Sequence, residues 1–142
     1  MNRVFVDTWG WITLFNRQER QYEQVSSLYK TIGCVSGSLV TTDYVLDEVW
    51  TMLFKRVPFS LARNALEATS SAVTGGYILL ERISPERFEA AQRLRLTLDD
   101  KPGISFTDLS SMIVMRELGI TEIITGDAHF THVGMGFVLL PR

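Results

Sequence analysis

Val4-Phe5-Val6-Asp7-Thr8 opens the chain with β-branched and aromatic residues and stops abruptly at an acid. That composition suits a short buried strand, so Met1 to Asp7 reads as strand and Thr8 as the cap of a short helix through Phe15. Moving outward, Leu39-Val40-Thr41 reads as a second strand, and Asp43 to about Val57 as a helix closed by Pro58. That helix carries Val45, Leu46, Val49, Met52 and Leu53 on one face. Tyr77-Ile78-Leu79-Leu80 is strand-like, and Ser84-Pro85-Glu86 starts a helix through about Leu98, with Pro at the first helical position. Glu122 to Thr125 and Phe137 to Leu140 are the last strands. The remaining helical spacings run from Glu19 to Ile32 (Tyr22, Val25, Leu28, Tyr29), from Ser60 to Val73, and from Asp108 to Leu118. Gly33, Gly75-Gly76 and Gly119 stop them, and Thr107 is the expected cap of the last. Strands alternating with helices predict an α/β domain with a mainly parallel sheet, because parallel neighbours need crossover connections.

The 142 residues are 46% hydrophobic and 21% charged, the balance of one globular domain spanning residues 1–142. There is no repeat, low-complexity tract or linker to divide it. A chain of this length buries roughly 68–70% of the surface its unfolded form exposes, so it needs no metal or disulfide to fold. A metal would serve chemistry instead. The lone cysteine, Cys34, excludes an intrachain disulfide and reads as a small buried hydrophobe in a cytoplasmic protein. Arg3 followed by Val4-Phe5-Val6 reads as a strand start and is not expected to be a leader, since Asp7 interrupts the apolar run. No run approaches the ~20 apolar residues of a membrane span.

In open parallel sheets the ligand site lies beyond the carboxyl ends of the strands. Asp7 ends the first strand there, and Asp127 follows Thr125 by two residues. Asp108 stands in the first turn of its helix, and Glu48 lies on the helix after the second strand. Four carboxylates thus converge on one rim. Like charges within ~4–6 Å disfavour ionisation unless a cation neutralises them. An oxygen-only donor set without paired Cys or His selects Mg²⁺ or Mn²⁺ over structural Zn²⁺. Such an ion supports phosphodiester hydrolysis by activating water and stabilising the leaving oxygen. The bland reading makes Asp108 a helix N-terminal acid and Asp127 a turn residue. The net charge of −2 argues against a broad basic surface, yet without the four acids 14 basic residues face 12 acidic ones, a net of +2.

Four segments in order, Val4-Phe5-Val6-Asp7-Thr8, Val45-Leu46-Asp47-Glu48, Ser105-Phe106-Thr107-Asp108 and Thr125-Gly126-Asp127-Ala128-His129-Phe130, give the chain its resemblance to the PIN domain family and its VapC-like toxins. The resemblance covers nearly the whole chain. It implies a three-layer sandwich, with a mainly parallel five-stranded sheet and helices on both faces. The implied activity is a Mg²⁺- or Mn²⁺-dependent endoribonuclease, the toxin of a toxin–antitoxin pair. Its partners would be RNA, an antitoxin protein and a second copy of the chain. By the same resemblance Asp7, Asp108 and Asp127 are metal ligands, and Glu48 activates water or holds a second metal. Thr107 and Thr125 would orient the carboxylates. Trp9 and Trp11 depart from the small polar residues common after the first Asp, and Asp47 beside Glu48 blurs the register.

His129 and His132 stand three apart but lack a third nitrogen or sulfur ligand, so they read as loop residues or phosphate contacts. Trp9, Trp11 and Trp50 read as packing residues, with base stacking as the functional alternative. Met112 and Met115 read as core filler. Arg82, Arg87, Arg93 and Arg95 read as a solvated face, with a phosphate track as the alternative. A haloacid-dehalogenase phosphatase would need an Asp at position 9, where Trp stands. A signalling receiver would need a late Lys, and the lysines end at Lys101. The remaining competitor is a catalytically silent PIN-like module that binds RNA or protein.

Overall fold

The computed structural model describes residues 2–142, so the Met1 end of the expected first strand lies outside the described residues. Strand β1 (Val4–Val6) pairs in parallel with β2 (Leu39–Thr42) on one side and β4 (Glu122–Ile124) on the other. Strands β3 (Ile78–Glu81) and β5 (Val138–Leu140) extend the sheet outward, giving the order β3-β2-β1-β4-β5, parallel throughout. Successive residues of a strand face opposite sides, and every residue of β1 and β2 is buried. Both faces of the sheet centre are therefore covered, which is why these strands read as continuous apolar runs.

Helices α1 (Thr8–Phe15), α2 (Tyr22–Gly33), α3 (Asp43–Arg56), α4 (Phe59–Thr74), α5 (Pro85–Thr97), α6 (Phe106–Leu118) and the one-turn α7 (His129–His132) complete the fold. Phe5, Trp11, Leu39, Leu53, Leu109, Met112, Met115, Ile123 and Phe130 form its largest fully buried side chains. Two stretches read from helical spacing behave as expected: Val45, Val49 and Leu53 are buried on α3, and Met112 and Met115 on α6. Trp11 sits in the core and donates its Nε1–H to Thr41 Oγ1 at 3.1 Å, while Thr41 donates onward to the Val6 carbonyl at 3.1 Å. A buried indole N–H needs such a partner. Among the described residues no helix is long and apolar enough to cross a membrane.

Several local expectations are corrected. Thr8 is the first residue of α1 and not its cap; Asp7 holds the cap position without a side-chain cap bond. Thr107 is not the cap of α6 either. Ser105 is, its hydroxyl accepting the Asp108 backbone N–H at 3.0 Å. Cys34 is exposed at the end of α2 instead of buried. Arg82 and Arg93 are exposed, as a solvated face requires, but Arg87 and Arg95 are half-buried: Arg87 clasps Glu81 and Glu117. Arg95 donates to the carbonyls of Leu98, Lys101 and Ile104 at 2.7, 2.7 and 2.9 Å, tying down the turn before α6.

Gly10 shows how closely α1 lies on the sheet. A Cβ there would stand 2.9 Å from the Ile124 carbonyl oxygen and 2.9 Å from Val6 Cγ1. Because one neighbour is backbone, Gly10→Ala must push α1 off β4, an overpacking cost of about 1–3 kcal/mol. Chemical denaturation should read this as a lower midpoint at unchanged slope; an unchanged midpoint would show that the helix has room to shift.

Candidate metal centre

The strand order reverses beside β1: its sequence neighbour β2 lies on one side and β4 on the other. Crevices open at such switch points, beyond the strand ends. Here a cleft of about 550 Å³ is lined by Asp7, Glu48, Asp108 and Asp127 together.

Each acid arrives by a different route. Asp7 terminates β1, is buried, and receives the Thr125 hydroxyl on Oδ2 at 2.8 Å. The same Thr125 oxygen accepts the Asp127 backbone N–H at 3.0 Å, so one hydroxyl fixes two of the acids. Glu48 accepts the Thr8 hydroxyl at 2.8 Å. Its neighbour Asp47 is exposed and lines a separate recess with Asp43 and Thr107, which resolves the register in favour of Glu48 as the cleft residue. Asp108 enters from the first turn of α6, its backbone tied to Ser105. Thr107 turns away from the carboxylates; its carbonyl accepts from Ser110 and Ser111, and no hydrogen bond links its hydroxyl to the cleft.

The cluster is electrostatically unfavourable by itself. Burial pushes the Asp7 carboxyl up to about 6 from 3.8; the Thr125 and Thr8 hydrogen bonds oppose this, and the charges of Asp127 and Glu48 add to it. Asp108 is pushed higher, to about 8, by burial first and then by Asp7 and Asp127. Asp7 Oδ1 is buried with no hydrogen-bond partner. A buried acceptor without a donor beside acids that resist ionisation is the environment a divalent cation relieves. The donors are mostly carboxylate oxygens, which suit a hard cation.

Five cleft residues were not singled out for this role. Thr8 and Ser105 orient Glu48 and Asp108. Arg56 and Glu19 line the cleft. Arg56 follows Glu48 and Met52 at intervals of four on α3, a helical spacing that places all three on one face. Ser105 and Asp108 form the S-x-x-D pattern of a helix start, which favours Ser105 over Thr107 as cap. The fifth is His129: α7 carries its Nδ1 to 3.1 Å from Asp127 Oδ1 and 3.7 Å from Asp108 Oδ2, while His132 is exposed. Trp9 lies against Gly126, where a Cβ would meet its ring at 2.8 Å, so the unusual tryptophan after Asp7 forms a wall of the cleft. Trp50 stacks on Phe15 at 6.1 Å between ring centroids.

No family model matches the chain. The 23S rRNA-specific endonuclease VapC20 of Mycobacterium tuberculosis is 29% identical over 131 residues, covering 92% of this chain and 94% of that protein. The crystal structure of VapC20, described as a sarcin-ricin loop cleaving toxin, superposes with a TM-score of 0.80 at 28% identity over 95% of this chain and 96% of that one. The chain is similar to this toxin along nearly its whole length and shares its fold. VapBC2 of Rickettsia felis, crystallised with a DNA fragment from its promoter, shares the fold with a TM-score of 0.72 at 14% identity, covering 96% of each chain. The similarity to VapC20 runs along more than nine-tenths of the chain.

Proposed function

We propose that the chain, with residues 1–142 as its one domain, is a metal-dependent endoribonuclease and the toxin of a toxin–antitoxin pair. The observation that carries this is the four-acid cluster at the sheet's switch point, whose two buried members, Asp7 and Asp108, are held above the usual carboxylate range. Asp7, Asp108 and Asp127 would hold Mg²⁺ or Mn²⁺, and that cation supplies charge neutralisation and a more acidic water when bound. Glu48, restrained by Thr8, lies in the same cleft with its second oxygen available to take a proton from an attacking water. Thr125 keeps Asp7 and Asp127 in fixed relation, and Ser105 orients the turn that carries Asp108. Arg56 supplies the cleft with a positive charge for a phosphate. The VapC20 name makes 23S rRNA the first substrate to test. An antitoxin segment covering the cleft, a homodimer and a cytoplasmic setting accompany this reading.

Incubating a 23S rRNA loop oligonucleotide with the protein and Mn²⁺ or Mg²⁺ should give specific cleavage that a chelator stops. Glu48→Gln should lower the rate by about 100-fold, in the range for a general base, and leave metal binding detectable. RNA binding that is unchanged by chelator, with no cleavage of any RNA tested, would instead favour the catalytically silent module.

A further inference from the structure

His129 contributes an atom to the acidic cluster that ordinary hydrogen bonding does not explain. Its backbone N–H donates to Asp127 Oδ1 at 2.9 Å, which fixes the residue at the start of α7. The ring Nδ1 is shut off from solvent, yet it makes no hydrogen bond. Its 3.1 Å approach to Asp127 Oδ1 therefore lacks the alignment of an N–H donor, and Asp108 Oδ2 at 3.7 Å is beyond hydrogen-bond reach. Burying a ring nitrogen between two carboxylates without a bond is costly unless something else satisfies it.

One arrangement accounts for all three groups. One ligand atom each from Asp108, Asp127 and His129 lie within 4.8 Å of one another. Ligands at about 2.0–2.6 Å from a common ion are separated by distances up to about that size. The ring stands beside the Gly103 turn, where a Cβ would be 3.8 Å from Nε2, so the loop that Arg95 ties down leaves the imidazole space.

We infer that His129 Nδ1 is a nitrogen ligand of the metal centre, acting with Asp108 and Asp127, and that it makes the site select Mn²⁺ over Mg²⁺. The selection follows from ligand chemistry. Mg²⁺ demands oxygen donors and keeps its waters. Mn²⁺, although it shares the preference for carboxylates, stands at the foot of the first-row series whose later members imidazole suits, and so accepts one nitrogen among its oxygens at less cost than Mg²⁺. Asp7, with its unpartnered Oδ1, stays an oxygen donor to the same cluster. The assignment rests on reading the four acids as a metal centre and goes beyond it by giving that centre a nitrogen ligand and a preference.

Two measurements on the whole chain test it without RNA. Titration calorimetry with MnCl₂ and with MgCl₂ should show wild type binding Mn²⁺ at least about tenfold more tightly, and His129→Ala should bring the two affinities within about threefold, chiefly by weakening Mn²⁺. Pulsed electron paramagnetic resonance of the Mn²⁺-loaded wild type should show coupling to a directly bound ¹⁴N, lost in His129→Ala and kept in His132→Ala. Because the wild-type spectrum stands alone, a His129→Ala variant that fails to fold does not rescue the idea. Mn²⁺ bound without nitrogen coupling, or a Mn²⁺/Mg²⁺ ratio unmoved by the substitution, overturns the assignment and leaves the carboxylate centre standing. Wild type that binds neither ion overturns both.

Discussion

Asp108→Asn will remove RNA cleavage while leaving a folded and more stable protein. Asparagine keeps the size of the side chain and its place on α6, and the Ser105 bond is to the Asp108 backbone N–H, so the turn is retained. What is lost is a negative charge between Asp7, Asp127 and His129. A cation held by fewer carboxylates binds more weakly and polarises water less, so the rate should fall by at least about 100-fold at any fixed metal concentration. In the metal-free protein the same change relieves repulsion, since the ionised Asp108 is opposed by burial and by its neighbours. The melting temperature at pH 8 with chelator should therefore rise. Asp47→Asn is the matched control, because Asp47 is exposed and lines a different recess. Asp108→Asn retaining wild-type cleavage within a few-fold would remove Asp108 from the chemistry, and with it the case for a shared metal.

The parts of this arrangement that the sequence discloses are those fixed by chain-local physics. An apolar triplet ending in Asp, as in Val4 to Asp7, specifies both a buried strand and the rim on which its acid stands. Gly119 at φ +70° ends α6 where the helical spacing runs out, and Ser84 accepts the Arg87 N–H as the cap of α5. The cap of α6 is legible as well, in the Ser-x-x-Asp pattern that Ser105 makes with Asp108. The other misreadings come from choices that only tertiary contacts decide. Cys34 looks apolar by type, yet it follows the last turn of α2, where the chain leaves the core. His129 lacked partners as long as only nitrogen and sulfur ligands were sought. Its partners are carboxylates from α6 and from the turn after β4, 21 and 2 residues away in sequence. The arginines around α5 divide, because sequence proximity hides what each one meets: Arg82 and Arg93 stay solvated, while Arg87 meets Glu81 and Glu117 and Arg95 meets three carbonyls.

The metal-free protein should lose stability as pH rises from about 4 to 8, the reverse of the usual behaviour of a carboxylate in an ion pair. Asp7 has its pKa raised from 3.8 to about 6, so between those values the folded chain holds a proton that the unfolded chain has released. Stability changes with pH in proportion to protons bound in the unfolded state minus those bound in the folded state, which is negative here. The contribution is fully present below about pH 4 and is lost as pH passes through 6; Asp108, raised to about 8, extends the loss upward. For Asp7 alone the shift corresponds to roughly 3 kcal/mol, or about 6–12 °C in melting temperature for a domain of this size. A divalent cation acts in the opposite direction, because it binds the ionised cluster of the folded chain. At 100 times its dissociation constant it returns about 2.7 kcal/mol. Thermal unfolding in chelator at pH 5, 6, 7 and 8 should show a falling melting temperature, and saturating MnCl₂ should flatten that fall. The order matters, since surface carboxylates elsewhere would make stability rise over the lower part of this range. A melting temperature independent of pH from 5 to 8 in chelator would mean that the four acids are solvated well enough to ionise together. They would then have no electrostatic need of a metal, and the cluster would give no physical reason for metal-dependent catalysis.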